Sequence, residues 1–191
     1  MPKLGMEPIR RAALVEATIA EIGAAGSLDV TVGQIAKRAG MSTALAHHYF
    51  GGKQQIFLAA MRQILRDFGQ EVVVALKSSR TPRARAEALI AASFAPSCFD
   101  PGTVSAWMTL YAQATTNADT QRLLDLYQRR LRSNLTHALR PISTAPQDDA
   151  AVLGALIDGL YLRAALGGDA SAQTAQATAL RALDTLTGAR T

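Results

Sequence analysis

The chain has 191 residues, of which 49% are hydrophobic and 18% charged, as is ordinary for a globular protein with a buried core. Its single cysteine, Cys98, excludes an intrachain disulfide and a thiolate metal cluster, and favours a reducing compartment. The formal net charge is +5, and residues 1–66 carry eight Lys and Arg against four Asp and Glu. This concentrated excess predicts contact with a polyanion, although a solvated basic face without a partner would have the same composition.

The sequence contains no stretch typical of a targeting or membrane segment. The N-terminal MPKLGMEPIRR lacks the apolar core of a signal peptide. The most apolar later stretch, AAVLGALIDGLYLRAALGG, is interrupted by Asp158 and Arg163 and so predicts a buried helix. We therefore expect a cytoplasmic protein with no membrane partner.

Alanine and leucine are abundant and runs of β-branched residues are scarce, which predicts an all-α fold. Gly26 and Gly40 mark helix ends, whereas Thr31 and Ser42 are suited to cap the helices that follow. Lys53 opens a longer amphipathic helix. The predicted helices of this part run over about 8–24, 31–39, 42–50 and from 53 onward.

The remaining chain predicts longer helices with a balanced charge. SSRTPR is a connector, APSCFDPG breaks two helices apart, and PISTAPQDD is a turn. The predicted helices span about 84–95, 103–116, 119–140, 148–167 and 171–187. We therefore predict a basic head of three helices plus a linker helix, with the domain boundary placed at 1–53, and a larger helical body over 54–191.

Two short helices joined by Ala-Gly-Met-Ser, after a supporting helix, predict a helix-turn-helix. The second helix would enter the major groove of DNA, with Thr43, Ala44, His47 and His48 projecting outward and Phe50 facing the core. Free backbone N–H groups at the starts of both helices are suited to phosphate oxygens. The interpretation requires the second helix to be exposed.

His47 and His48 admit other interpretations. Adjacent residues on a helix diverge by about 100°, so the two imidazoles are poorly placed to share a metal ion, and His137 is distant in sequence. Nucleophilic catalysis lacks a cysteine or an acidic partner nearby. A structural role for one of the two histidines remains an alternative to DNA contact.

The stretch TVGQIAKRAGMSTALAHHYFGGKQQIF resembles the DNA-binding signature of TetR-type repressors over about 45 residues. The resemblance implies a homodimer that binds a palindromic operator in double-stranded DNA. It also implies two sets of DNA contacts, together with His47 at a position where the family often has a DNA-contacting tyrosine. The implied backbone contacts are Thr31, Ser42, Tyr49 and Lys53, and the implied base-facing residues are Thr43, Ala44 and His48.

Ala46 departs from the family pattern, which usually has a bulkier aliphatic residue at that core position. The head would then be packed more loosely, or Leu45 or Met41 would fill the space.

Aromatic residues of the body predict a second site, for a small molecule. Trp107 and Tyr111 lie four residues apart and Asp158 and Tyr161 three apart, so each pair shares a helix face, and Tyr127 comes from a third helix. If these helices meet, the rings and the carboxylate would form a cage of the kind that a quaternary ammonium group prefers.

Two alternatives to that cage remain. The aromatic residues could be ordinary core residues whose polar tips reach the surface. Arg163 or Arg130 could also neutralise Asp158, which would weaken the case for a cationic ligand.

Three further motifs, MPKLGMEPIRR, RRLRSNL (129–135) and ALIDGLYLRAALGG (155–168), resemble BetI-type choline-sensing repressors of glycine betaine synthesis genes. This resemblance implies repression of choline transport and oxidation genes that is relieved when choline binds, with no cofactor. Trp107 matches a tryptophan-rich helix of the family, whereas Tyr111 and Tyr161 stand where larger indoles are common. The segment from about 78 to 101 matches weakly.

Other functions compete with this one. A TetR-type repressor could respond to another amine, an aromatic drug or an acyl compound. An enzyme or carrier for a quaternary amine would need a general base, for which Asp158 is the only candidate, and it has no nucleophile or metal site beside it. We therefore expect a regulator and not an enzyme.

The last two helices are predicted to form the dimer interface. Ala151, Ala155 and Gly159 recur every four residues and would let helices approach closely in a four-helix bundle across a two-fold axis. Packing of the same face within one chain is the alternative.

Overall fold

The computed structural model describes residues 5–167 and 171–188, so the first four residues of MPKLGMEPIRR and Gly168 of ALIDGLYLRAALGG lie outside the described residues. The described residues form nine α-helices and one short 3-10 helix and contain no strand, which confirms the predicted all-α fold. The predicted helix ends agree with the observed ones to within two residues. The α-helices are α1 (Met6–Ala25), α2 (Val32–Arg38), α3 (Thr43–Phe50), α4 (Lys53–Ser78), α5 (Pro82–Ser93), α6 (Pro101–Ala114), α7 (Ala118–Leu139), α8 (Pro146–Ala165) and α9 (Ala172–Thr187).

Four helices begin two residues earlier than predicted, and three of them begin at a proline: Pro82, Pro101 and Pro146. Proline is suited to the first helical position because its φ is already helical and its missing N–H would have no intrahelical acceptor there. The side chains of Thr81 and Asp100 cap two of these starts. The prolines therefore open helices that we had predicted to start after them. Between α5 and α6, the predicted break contains the 3-10 helix, Pro96–Phe99.

The described residues divide into two compact units that do not follow the chain order. The first unit contains those up to Arg66 together with Asp100–Leu124, which is α1 to α3, the first half of α4, α6 and the start of α7. The second contains Asp67–Phe99 and those from Asp125 onward. The division at residue 53 predicted above remains a prediction.

In the first unit, α1 and α6 cross with their backbones in contact. A Cβ atom placed on Gly23 would lie 2.7 Å from the Cα atom of Gly102, and one on Gly102 would lie 2.7 Å from the carbonyl oxygen of Ile19. Real Cβ atoms do not approach other atoms so closely, so both positions need glycine. The fully buried side chains of the first unit include Leu14, Ile22, Ile35, Phe57 and Leu110.

In the second unit, α8 packs on α9, and α5 contacts both. Arg83 of α5 pairs with Glu87 at 2.7 Å and also with Asp184 of α9. The apolar core supplies most of the stabilisation, since each fully buried leucine contributes about 1.5–3 kcal/mol. Its fully buried members include Leu89, Ile90, Leu135, Leu139, Leu153 and Leu183. None of the helices within the described part of the chain has the length and apolar character that a bilayer crossing requires.

Candidate DNA-binding and effector sites

Both predicted helix caps in the head are confirmed. The Thr31 hydroxyl oxygen accepts a hydrogen bond from the Gln34 N–H at 3.1 Å, and the Gln34 side chain accepts one from the Thr31 N–H at 2.7 Å, forming a capping box. The Ser42 hydroxyl accepts from the Leu45 N–H at 3.2 Å. Between the two helices Gly40 takes a left-handed conformation with φ 67°. The geometry of the turn is therefore set by residues that lie next to one another in sequence.

The helix α3 has the exposed face that DNA contact requires. Thr43, Ala44, His47 and His48 are all exposed, whereas Ala46 is fully buried. Met41 and Leu45, the two candidates to fill space around the small Ala46, are each partly buried. The face opposite Ala46 is open to solvent, as the helix-turn-helix interpretation requires.

The ring of His47 bonds to the end of its own helix. Its Nδ1 atom donates to the Gly51 carbonyl oxygen at 3.1 Å. When neutral, the imidazole then carries its proton on Nδ1 and has Nε2 as a hydrogen-bond acceptor. The adjacent His48 ring packs on Tyr49 with centroids 5.5 Å apart.

Arg11 of α1 holds the C-terminal end of α3, a contact that sequence patterns did not indicate. Its Nη1 atom donates to the Tyr49 carbonyl oxygen at 2.5 Å, and its guanidinium carbon lies 4.4 Å from the centre of the Phe50 ring. Phe50, predicted to face the core, is only partly buried, and this guanidinium lies over its ring. Arg11 also pairs with Glu7 at 3.5 Å. A cation at a helix C-terminus is favourable because the last carbonyl groups carry partial negative charge.

Some basic side chains of the head form ion pairs with acidic side chains of the same chain. Besides Arg11, Arg38 pairs with Glu21 across 2.5 Å, which fastens the end of α2 to α1. Among the described basic residues up to Arg66, Arg11 and Arg38 are therefore engaged in ion pairs. Lys53, predicted to meet the DNA backbone, is partly buried at the start of α4.

The predicted effector residues fall into two groups, one in each compact unit. In the first unit, Trp107 and Tyr111 lie side by side on α6 with ring centroids 5.9 Å apart, and Trp107 is buried. In the second unit, Tyr127 of α7 donates a hydrogen bond from its hydroxyl to Asp158 Oδ1 of α8 at 3.0 Å. The structure thus brings together Trp107 with Tyr111, and Tyr127 with Asp158.

Tyr161 uses its hydroxyl within the second unit. It donates to the Cys98 carbonyl oxygen at 2.8 Å, and its ring packs on Phe99 with centroids 5.2 Å apart. The Tyr127 ring meets Phe68 edge-on at 6.2 Å. Phe68 and Phe99 were not among the predicted site residues. A phenylalanine has no polar group, and neither residue forms a sequence motif with the predicted site residues. Only the ring contacts in the structure place them beside Tyr127 and Tyr161.

The two arginines that were alternatives for neutralising Asp158 are both exposed. Arg163 lies on α8 and Arg130 on α7. One hydrogen-bond partner of Asp158 Oδ1 is a neutral donor, the hydroxyl of Tyr127.

Cys98 is a neutral thiol at ordinary pH. Burial, and to a smaller extent the negative charge of Glu71, raises the pKa of the Cys98 thiol to about 11. The nucleophilic form of a cysteine is the thiolate, so this residue is poorly reactive in the folded protein.

Comparisons with known proteins identify the family. A model of the tetR family of bacterial regulatory proteins matches residues 14–60, and a model of the C-terminal part of BetI-type transcriptional repressors matches 82–188. The HTH-type transcriptional regulator BetI of Brucella anthropi is 52% identical over 172 residues, which is 89% of each chain. Its name, like the family descriptions, is that of a regulator and not an enzyme.

Solved structures agree on the fold. A TetR transcription regulator from Haloarcula marismortui superposes with a TM-score of 0.85 at 21% identity, over 94% of this chain and 98% of its own. A transcriptional regulator from Saccharomonospora viridis, solved in complex with choline, gives 0.78 at 22% identity over 92% and 95%. Both resemblances stated from the sequence are confirmed, and the chain belongs to the TetR family of transcriptional regulators, as a repressor with a BetI-type C-terminal domain.

Proposed function

We propose that the protein represses genes for choline transport and glycine betaine synthesis, and that choline binding to its C-terminal part releases it from the operator. The observation that supports this most directly is the Tyr127–Asp158 pair, a phenol bonded to a carboxylate next to further aromatic rings. A quaternary ammonium ion is attracted to aromatic faces and to a nearby negative charge. The family membership and the choline complex of the Saccharomonospora viridis protein support the same ligand.

On DNA, the exposed face of α3 would enter the major groove, and the capped helix starts would approach the phosphates. The bond from His47 to Gly51 would leave Nε2 of His47 to accept a hydrogen bond from a base or a bridging water. Backbone contacts are assigned to Thr31, Ser42, Tyr49 and Lys53, and base-facing positions to Thr43, Ala44, His47 and His48.

The protein would act as a homodimer in the cytoplasm, with the two heads on the halves of a palindromic operator. Ala151 and Ala155 of α8 are exposed, as is Val152 between them with 53% of its surface accessible. Gly159 continues this strip and has open space where a side chain would lie. A second copy that packs its own α8 and α9 here would cover the strip.

The repressor would respond to choline through the effector residues Trp107, Tyr111, Tyr127, Asp158 and Tyr161. For choline to release the operator, it must bind the DNA-incompetent state better than the competent one, and such couplings are typically ~1–3 kcal/mol. Added choline should therefore weaken operator binding roughly 5- to 150-fold.

The DNA part is tested with Lys53→Ala. Fluorescence anisotropy with a duplex from the bound promoter, over a series of salt concentrations, should show weaker binding and a salt slope smaller by about 1. Lys77→Ala is the matched control, because Lys77 is an exposed lysine at the far end of the same helix. Unchanged affinity and salt slope for Lys53→Ala would contradict the assignment of Lys53 to the DNA backbone.

The choline part is tested by calorimetric titration of choline and a panel of amines, aromatic drugs and acyl compounds into the parent protein. Trp107→Ala is expected to bind choline more weakly. If another compound of the panel binds to saturation and choline does not bind, that compound, and not choline, is the effector. Binding by Trp107→Ala as tight as the parent's would remove Trp107 from the site.

A further inference from the structure

Glu71, in the second half of α4, has a carboxylate oxygen that none of the contacts described so far uses. Its Oε1 atom accepts a hydrogen bond from the Ser97 hydroxyl at 2.7 Å. Its Oε2 atom is shut away from solvent and accepts no hydrogen bond from the described residues. A buried carboxylate oxygen without a partner costs free energy, because the solvation that it had in water is not replaced. The Ser97 hydroxyl donates to one of the two carboxylate oxygens only.

Glu71 is connected to the Tyr127–Asp158 pair through α4. It lies three residues after Phe68, so the two side chains share a helix face. The Phe68 ring meets the ring of Tyr127, whose hydroxyl bonds to Asp158. Glu71 therefore lies on the same face of α4 as the ring that meets the Tyr127–Asp158 pair.

A second route connects the same residues through the 3-10 helix. Ser97, the hydrogen-bond donor to Glu71, precedes Cys98, and the Cys98 carbonyl accepts from the Tyr161 hydroxyl. Tyr161 lies three residues after Asp158 on α8, and its ring packs on Phe99. The hydrogen bonds and ring contacts form a circuit of α4, α7, α8 and the 3-10 helix, in which Phe68 and Glu71, and Asp158 and Tyr161, are related by helix spacing. The circuit contains aromatic rings and the carboxylates of Glu71 and Asp158.

The neighbouring thiol does not add to the negative charge. The pKa of Cys98 is raised to about 11 by burial and by the charge of Glu71, so Cys98 is neutral at physiological pH. Because the charge of Glu71 contributes to the raised pKa of Cys98, the Glu71 carboxylate lies close to the thiol.

We propose that Glu71 is an effector-binding residue whose carboxylate faces the positive charge of a quaternary ammonium ligand within this circuit. The inference rests on the proposed function, since it requires a cationic effector. A quaternary ammonium group has no N–H donor, so it cannot form an ion pair that depends on hydrogen-bond geometry. It is bound by nearby negative charge and by aromatic faces, and the circuit supplies both.

The test compares choline with 3,3-dimethylbutan-1-ol, which has the same shape but no charge. In calorimetric titrations, Glu71→Gln should weaken choline binding by at least about 10-fold, because it removes one charge from a partly buried site. Binding of the neutral alcohol should stay within about twofold of the parent value. Asp148→Asn is the matched control: Asp148 is exposed in the first turn of α8, and its replacement changes the net charge equally.

Folding is checked by thermal melting. Glu71→Gln keeps the size of the side chain and an oxygen that can accept from Ser97, so its ligand-free melting temperature should stay close to that of the parent. Glu71→Asp, which keeps the charge, is the second variant and should keep the preference for choline over the neutral alcohol.

The outcomes separate the two proposals. Choline binding by Glu71→Gln as tight as the parent's overturns the role of Glu71 and leaves the proposed function standing. If the parent binds tetramethylammonium but not choline, and Glu71→Gln binds it more weakly, choline is refuted while Glu71 is supported. A parent that binds neither ion refutes both.

Discussion

Replacement of Gly102 by alanine tests the backbone contact between α1 and α6. The added Cβ would lie 2.7 Å from the Ile19 carbonyl oxygen and 2.9 Å from the Ile19 Cγ2 atom, whereas ordinary contacts begin at 3.4 Å. Because the nearer atom belongs to the backbone, relief requires α1 and α6 to separate by about 0.7 Å, the difference between 3.4 and 2.7 Å.

The free energy of unfolding should fall as a result. Overpacking of a tight interior typically costs about 1–3 kcal/mol. Alanine has a helix propensity about 1 kcal/mol better than glycine, which offsets part of that cost. The separation also loosens contacts of buried neighbours along both helices, so we expect Gly102→Ala to be destabilised by about 1–2 kcal/mol.

Urea unfolding at a fixed protein concentration measures the effect. Gly69→Ala is the control: Gly69 is also helical, and no atom lies within 4 Å of where its Cβ would be. That variant should gain about 0.5–1 kcal/mol, since alanine loses less backbone entropy on folding. If Gly102→Ala were as stable as Gly69→Ala, α1 and α6 would not be in backbone contact, and the role given to both glycines would be refuted.

Two more predictions concern single side chains. Arg11→Met removes the hydrogen bond to Tyr49 and the cation over Phe50, so we expect a loss of roughly 1 kcal/mol in stability for this partly exposed group and about tenfold weaker operator binding. Binding of Arg11→Met to nonspecific DNA should fall no more than that of Arg10→Met, which is the control for the lost charge. If Arg11→Met lost affinity for operator and nonspecific DNA equally, a role of Arg11 in positioning α3 would be contradicted. Cys98 should react with iodoacetamide at pH 8 about 100-fold more slowly in the folded protein than in guanidinium, because its pKa rises from 9.0 to about 11. Because the pKa of Cys98 is higher in the folded protein, the protonated thiol favours the folded state. This contribution to the free energy of unfolding is complete below pH 9 and is lost as the pH rises towards 11. Equal rates of alkylation in the folded and unfolded protein would show that the thiol is not buried.

Local chemistry made most of the fold predictable. Helix ends depend on residues next to one another in sequence, such as the Thr31 capping box and the left-handed Gly40, so their patterns could be recognised without tertiary information. The two-residue errors at Pro82, Pro101 and Pro146 arose because proline was treated as a break when it was the first residue of the helix.

The contacts that shape the sites depend on distant residues and were not predictable in the same way. Arg11 and Tyr49 are 38 positions apart, and Ser97 and Glu71 are 26 apart. Nothing in the local sequence of an arginine or a glutamate distinguishes a solvated side chain from one that holds another helix or faces an interior. Family resemblance supplied the predicted DNA-facing positions, whereas the proposal for Glu71 arose only from its buried oxygen without a hydrogen bond.

The crossing of Gly23 and Gly102 gives the regulator a mechanical property. Two helices in backbone contact have no flexible side chains between them to absorb a displacement, so a shift of one is passed to the other almost undiminished. α6 carries Trp107, and α1 carries the arginine that grips the end of α3. A molecule that displaces the Trp107 indole would therefore move α6 and α1 together, and α1 is bonded through Arg11 to the end of α3.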